Sequence, residues 1–128
     1  KSLSKYGYKF FKGVSDMDCI FCKIIDGEIP SAKYYEDDLV IAIKDVNPQA
    51  PFHALIMPKQ HIESALDIDK SNSALISRIF EVAAKIAKEN GLDSGFRIIN
   101  NCGEDAGQTV KHIHFHLLGG IKMSERII

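Results

Sequence analysis

Apolar positions along this chain repeatedly change their spacing, and each change marks an element. Within residues 19–27, Ile20, Phe21, Ile24 and Ile25 recur at helical intervals, and Gly27 supplies a stop. Residues 32–36 and 39–44 read as two strands around an Asp37-Asp38 turn that lacks the usual glycine. Two prolines then break the pattern over residues 45–51, and residues 53–57 form a short apolar strand stopped by Pro58. The clearest helix spans residues 71–90, where Leu75, Ile76, Ile79, Phe80, Ala83, Ile86 and Ala87 make an apolar stripe and Asn90-Gly91 ends it. Residues 96–101 are a fourth strand, residues 102–109 a glycine-bearing loop, and residues 110–118 a fifth strand. All but one of the strand connections are short. The pattern therefore predicts an α+β domain: about five strands in a mostly antiparallel sheet, one long helix making the crossover, and one short N-terminal helix.

The last strand reads VKHIHFHLL. Alternate side chains of a strand point to opposite faces, so His112, His114 and His116 share one face and Ile113, Phe115 and Leu117 the other. A helix would swing His114 about 200° from His112 and scatter the row. Three polar residues on a strand are often no more than a solvated face, but Lys, Thr or Glu would serve that purpose equally well. Histidine adds a neutral nucleophilic nitrogen, a proton carrier or a metal ligand, and the row is read as functional. Upstream, Gly103 and Gly107 permit backbone N–H groups to approach an anion, with Asn101 and Thr109 beside them. No Gly-Lys-Ser/Thr comes after them, so this is not a Walker loop. On their own these glycines would be plain turn residues.

Composition narrows the ligand. The 128 residues are 45% hydrophobic and 26% charged, with 16 basic against 17 acidic side chains and a formal net charge of −1. Such near-neutrality argues against bulk electrostatic binding to nucleic acid or to an anionic membrane, and favours a small ligand held by specific groups. No apolar run is long enough to span a bilayer, and no secretory leader is recognisable. Three cysteines, two of them in Cys19-Ile-Phe-Cys22, do not make a secreted disulfide framework, so a reduced, cytoplasmic setting is expected. The pair lacks the βαβ context of a redox motif. Burial as small apolar residues and metal ligation both stay open for it. The lysine-rich residues 1–16 lack the patterning of the rest of the chain and read as a poorly ordered extension or expression remnant. Residues 17–128 read as a single domain.

Residues 107–120, GQTVKHIHFHLLGG, resemble the signature of histidine triad (HIT) proteins, in which three histidines alternate with apolar residues. The trailing Gly119-Gly120 resembles the Hint branch of nucleoside phosphoramidate hydrolases. Residues 45–53 and 57–62 look like segments of the same branch. The likeness runs from about residue 18 to residue 120. It implies a HIT-like fold and hydrolysis of purine nucleoside 5′-phosphoramidates through a covalent nucleotidyl-histidine. On the family pattern His114 is the nucleophile, His116 binds phosphate and helps carry a proton, and His53 supports that transfer. Gly107, Gln108 and Thr109 would donate to the phosphate, Asn101 would contact phosphate or leaving group, and Asp45 would accept from the ribose hydroxyls. Ile20, Phe21, Ile24, Ile43 and Val46 would form the slot for the base. Without the resemblance, packing would be the stronger reading of those five, and an Asx turn the stronger reading of Asp45. Bacterial-type relatives imply a structural zinc held by Cys19, Cys22, His61 and His112, with no metal required for catalysis. The resemblance also implies a homodimer that acts on purine nucleotides, with no nucleic acid or membrane partner. Two alternatives stand beside it: a dinucleoside polyphosphate hydrolase using the same nucleophile, and a non-enzymatic nucleotide-sensing or partner-binding module. The tail after Gly120, IKMSERII, departs from the Trp- and Pro-containing ending of the branch, which leaves leaving-group preference open.

Overall fold

The computed structural model describes residues 18–128; the segment read as an extension lies, with Met17, outside the described residues. In chain order the elements are α1 (Ile20–Ile25), β1 (Lys33–Glu36), β2 (Val40–Lys44), β3 (Phe52–Pro58), α2 (Ser73–Glu89), β4 (Phe96–Ile99) and β5 (Phe115–Gly119). Single 3-10 turns at Ala65–Asp67 and Glu104–Ala106 interrupt two of the connections. The strands lie in the order β1-β2-β3-β5-β4, and each neighbouring pair is antiparallel. The expected α+β architecture is present. The crossover through α2 carries the chain past the place of β5 to the sheet edge, and β5 then returns between β3 and β4.

Local chemistry explains how the hairpin of β1 and β2 turns without glycine. Asp37 Oδ1 accepts the N–H groups of Leu39 and Val40 at 2.7 and 2.9 Å, an Asx turn made by the side chain itself. Arg78 of α2 reaches across to Asp37 Oδ2 through Nε and Nη2, and to the Tyr35 hydroxyl, tying the hairpin to the helix.

Both faces of the sheet are covered. On one, Val40, Ala42, Ala54, Ile56, Ile113, Phe115 and Leu117 meet Ile79, Val82, Ala83 and Ile86 of α2. On the other, Ile41, Ile43, Leu55 and Met57 lie under Phe21, Ile24 and Ile25 of α1, together with Cys19 and Cys22. The period of two along β2 and of 3.6 along α2 is thus read directly in the core. Phe80, placed on the predicted stripe, remains 48% exposed at its margin.

The fifth strand differs from its expected range in an instructive way. It starts at Phe115, not near residue 110, so His112 and His114 precede it. Phe115 faces Ile56, and continuing that register by two residues would set Ile113 opposite Pro58. Proline has no N–H for a ladder, so regular pairing stops there. A single backbone bond, Ile113 N–H to the Ile62 carbonyl at 2.7 Å, holds the chain upstream. Alternation nevertheless persists: Ile113 and Phe115 face α2, while His112 and His114 turn their rings toward Phe21 of α1.

Candidate active site and metal-binding group

The histidine row is not a solvated face. His112, His114 and His53 are buried and His116 is half-buried. The rings meet in two runs, His61 with His112 at 5.0 Å between centroids, and His114 with His116 at 5.3 Å and His116 with His53 at 5.1 Å. Phe21 presents its edge contacts to His112 and His114 at 5.9 and 5.0 Å.

Backbone groups set the tautomers of His112, His114 and His53, and His53 sets that of His116. The His112 carbonyl accepts from His114 Nδ1–H at 2.8 Å, which leaves the lone pair of His114 on Nε2. The Pro58 carbonyl accepts from His112 Nε2–H at 2.8 Å, so His112 Nδ1 is its lone-pair nitrogen. Gln49 N–H donates to His53 Nδ1 at 2.9 Å, which puts the His53 proton on Nε2. That Nε2–H points to His116 Nδ1 at 2.8 Å and to Asp45 Oδ2 at 3.2 Å. His116 therefore carries its own proton on Nε2. Asp45 Oδ1 meanwhile accepts Asn47 N–H at 2.8 Å, the Asx-turn contact, so one carboxylate serves both the turn and the histidines.

Burial favours the neutral form of His114, His116 and His53. It lowers His114 below the ordinary histidine value, against the opposing effect of the hydrogen bond His114 donates to the His112 carbonyl. His116 is pushed down to about 4, first by burial and then by the neighbouring His114 and His53. Burial lowers His53 as well, with Asp45 pulling the other way.

A second group lies directly behind the row. Cys19 Sγ stands 3.4 Å from His112 Nδ1; Cys22 Sγ stands 3.6 Å from the same nitrogen and 3.3 Å from His61 Nδ1. All four donor atoms fall within 4.8 Å of one another. A tetrahedral ion with bonds of ordinary zinc length would set its sulfur and nitrogen ligands about 3.6 Å apart, so the spacing fits a closed four-ligand site. The donor set fits too. The Cys22 thiol, with smaller pulls from His112 and His61, holds the Cys19 thiol far below its ordinary range against the push of burial. His112 already presents its lone pair to both sulfurs. Cys19, Cys22, His61 and His112 are positioned to bind a metal ion.

The remaining expected residues fall into an exposed loop, a packed slot and its rim. Thr109 is exposed and shares a surface depression with Asp18, Cys19, Ile20, Glu63, Val110 and Lys111. Gly107 takes φ +84° after the Glu104–Ala106 turn and donates its N–H to the Glu104 carbonyl at 3.0 Å. Gln108 N–H bonds the Gly103 carbonyl at 3.1 Å, while its side chain staples the loop to Glu63 and Val110 carbonyls. Of the five slot residues, Phe21, Ile24 and Ile43 are buried, whereas Ile20 is 46% and Val46 98% exposed. Asn101 is half-buried. Its neighbour Asn100, which sequence reasoning passed over, donates Nδ2–H to the His114 carbonyl at 2.9 Å. Only the Asn-Asn doublet could have pointed to it.

Known proteins resemble this chain in sequence and fold. A family model described as "Scavenger mRNA decapping enzyme C-term binding" matches residues 18–126. The purine nucleoside phosphoramidase of Escherichia coli K12 is 47% identical over 104 residues, covering 80% of this chain and 87% of that one. A HIT family hydrolase from Clostridium thermocellum superposes with a TM-score of 0.85 at 52% identity, over 87% of this chain and 97% of that one. A histidine triad protein from Clostridium difficile gives 0.83 at 56% identity, over 86% and 96%. The chain belongs to the histidine triad family of hydrolases. Among the described residues, no helix is long and apolar enough to cross a membrane.

Proposed function

We propose that the chain hydrolyses purine nucleoside 5′-phosphoramidates with His114 as nucleophile, and that zinc is the ion held by Cys19, Cys22, His61 and His112. The observation that carries the reading is the His114 tautomer, in which Nδ1–H is tied to the His112 carbonyl and Nε2 is left with the lone pair. The name of the E. coli relative, 47% identical, supplies the substrate class.

In the first step His114 Nε2 attacks the α-phosphorus and the P–N bond to the amine breaks. The amine leaves with a proton drawn from water at the open side of the site. The nucleotidyl-imidazolium so formed is cationic, and the His112 carbonyl accepts the hydrogen bond from its Nδ1–H. In the second step water adds to phosphorus, the bond to His114 breaks, and the nucleoside monophosphate departs as the surplus proton returns to solvent. Splitting one displacement into two lowers the barrier of each. His116 Nε2–H donates to a phosphoryl oxygen, and His53 holds the tautomer that makes this possible. Thr109 and Asn101 contact the phosphate. Gly107 and Gln108, whose N–H groups are engaged within their loop, act by shaping it. Asp45 accepts from the ribose hydroxyls, and exposed Ile20 and Val46 offer apolar faces to the base above Phe21, Ile24 and Ile43. Zinc, when bound, joins α1, the chain after β3 and the chain before β5. The working form is taken to be a cytoplasmic homodimer.

Adenosine 5′-phosphoramidate should yield AMP and ammonia, and an acid-quenched sample should carry the nucleotide on His114. His114→Ala should lose turnover by about a thousandfold or more while circular dichroism is unchanged. Full turnover by that variant, or AMP binding with no turnover by the unaltered protein, would overturn the proposal.

A further inference from the structure

The nucleophile is delivered by a stretch of chain that the sheet does not hold. Regular pairing of β5 begins only at Phe115, one residue after His114. Upstream, the backbone is fixed by the Ile113–Ile62 bond and by Asn100 on the His114 carbonyl. The other anchor is the His112 side chain, which donates from Nε2 to Pro58 and turns Nδ1 to both cysteine sulfurs. His112 also presents the carbonyl that receives His114 Nδ1–H. One residue thus joins the metal group through its ring and sets the nucleophile through its backbone. Two further contacts take the same route. His61 immediately precedes Ile62, the partner of Ile113. Phe21, between the two cysteines in the chain, meets the rings of His112 and His114.

We propose that the Cys19–Cys22–His61–His112 centre is the positioning device of the nucleophile. The ion stands in for the missing sheet ladder, fixing where the His112 carbonyl stands and therefore where His114 Nε2 points. His112 is a positioning residue in this scheme. The idea rests on the reading of His114 as nucleophile and adds a dependence that a merely stabilising metal would not produce. Ribose and phosphate contacts through Asp45 and the exposed loop do not pass through His112, and the base slot on α1 is also held by the packing of Phe21, Ile24 and Ile25 on the sheet, so attack and binding should separate. Misplacing a reacting atom by about 1 Å can cost on the order of a hundredfold in rate.

The test strips zinc from the whole protein with a chelator, restores it in the same sample, and prepares a cadmium form whose larger ion keeps the four ligands at longer bonds. Three quantities are read: hydrogen exchange of residues 110–114, affinity for AMP, and the single-turnover rate of nucleotide transfer to His114. Stripping should speed exchange in that segment by roughly tenfold or more. It should slow transfer by about tenfold to a hundredfold, leave AMP affinity within about twofold, and be reversed by zinc. If the stripped chain unfolds, the cadmium form decides, with slowed transfer and unchanged AMP affinity expected. Equal exchange and equal transfer rates in all folded forms overturn the proposal, as does a parallel loss of AMP affinity and rate. Metal-dependent exchange with no transfer in any form overturns the hydrolase reading and, with it, the proposal that rests on it, whereas transfer that proceeds equally with and without the metal overturns the proposal alone.

Discussion

In the proposed reaction His53 would act on the phosphate only through the His116 ring, which its Nε2 meets at 2.8 Å. Its Nδ1 is capped by Gln49 N–H, so the only proton it has is aimed at His116 and Asp45. Replacing it by alanine leaves His116 free to take the other tautomer, with its Nε2 lone pair facing the phosphate. His53→Ala is expected to lower kcat by roughly a hundredfold with little change in KM; steady-state kinetics with adenosine 5′-phosphoramidate check this, and a loss confined to KM would contradict it. At this scale the sequence is informative about which rings matter and silent about their protons. Alternation singles out His112, His114 and His116, and Cys-x-x-Cys leaves metal open as a reading of the cysteine pair. The tautomers depend on Gln49 N–H and on the Pro58 and His112 carbonyls, groups every residue carries and no motif marks. Nor does any motif mark Asn100, whose side chain donates to the His114 carbonyl.

Among elements, α2 is legible because its apolar period runs unbroken over 17 residues, and the hairpin because two short runs flank an Asp-Asp turn. The start of β5 is not, since strand pairing depends on what lies opposite, and the register would bring Ile113 opposite a proline from a distant part of the chain. The helix carries much of the cohesion. Ile79 is completely buried against the sheet, and Ile79→Ala should cost about 2–5 kcal/mol in urea unfolding. The exit from β5 is equally constrained. Gly120 has φ +90°, and a Cβ there would stand 3.1 Å from Pro51 Cβ. Gly120→Ala should therefore lower stability by about 1–3 kcal/mol, measured in the same way. The second glycine of the motif that suggested the Hint branch thus has a backbone reason to be glycine.

For the molecule as a whole, covering both sheet faces puts imidazoles where water does not readily reach. His116 is pushed down to about 4 and His53 is also lowered, in each case chiefly by burial. The unfolded chain, with ordinary histidines near 6.5, then binds more protons than the folded one between those values. Stability from these groups is full above about pH 6.5 and declines as pH falls toward 4. The urea midpoint should be flat near neutrality and drop through that window, and kcat/KM should show its acid limb there; a midpoint rising on acidification would refute the assignment. The central place of β5 has a further consequence. Its two faces carry different duties, oil toward α2 and imidazole toward α1, and a strand has only two faces. A slip of one residue would push histidines into the helix-side core and present Ile113, Phe115 and Leu117 where the imidazoles now stand. Assembly errors at this strand therefore cannot yield a sturdy but inert product. Whatever molecule survives quality control in the cell has its chemistry aligned, because the same choice of register decides both.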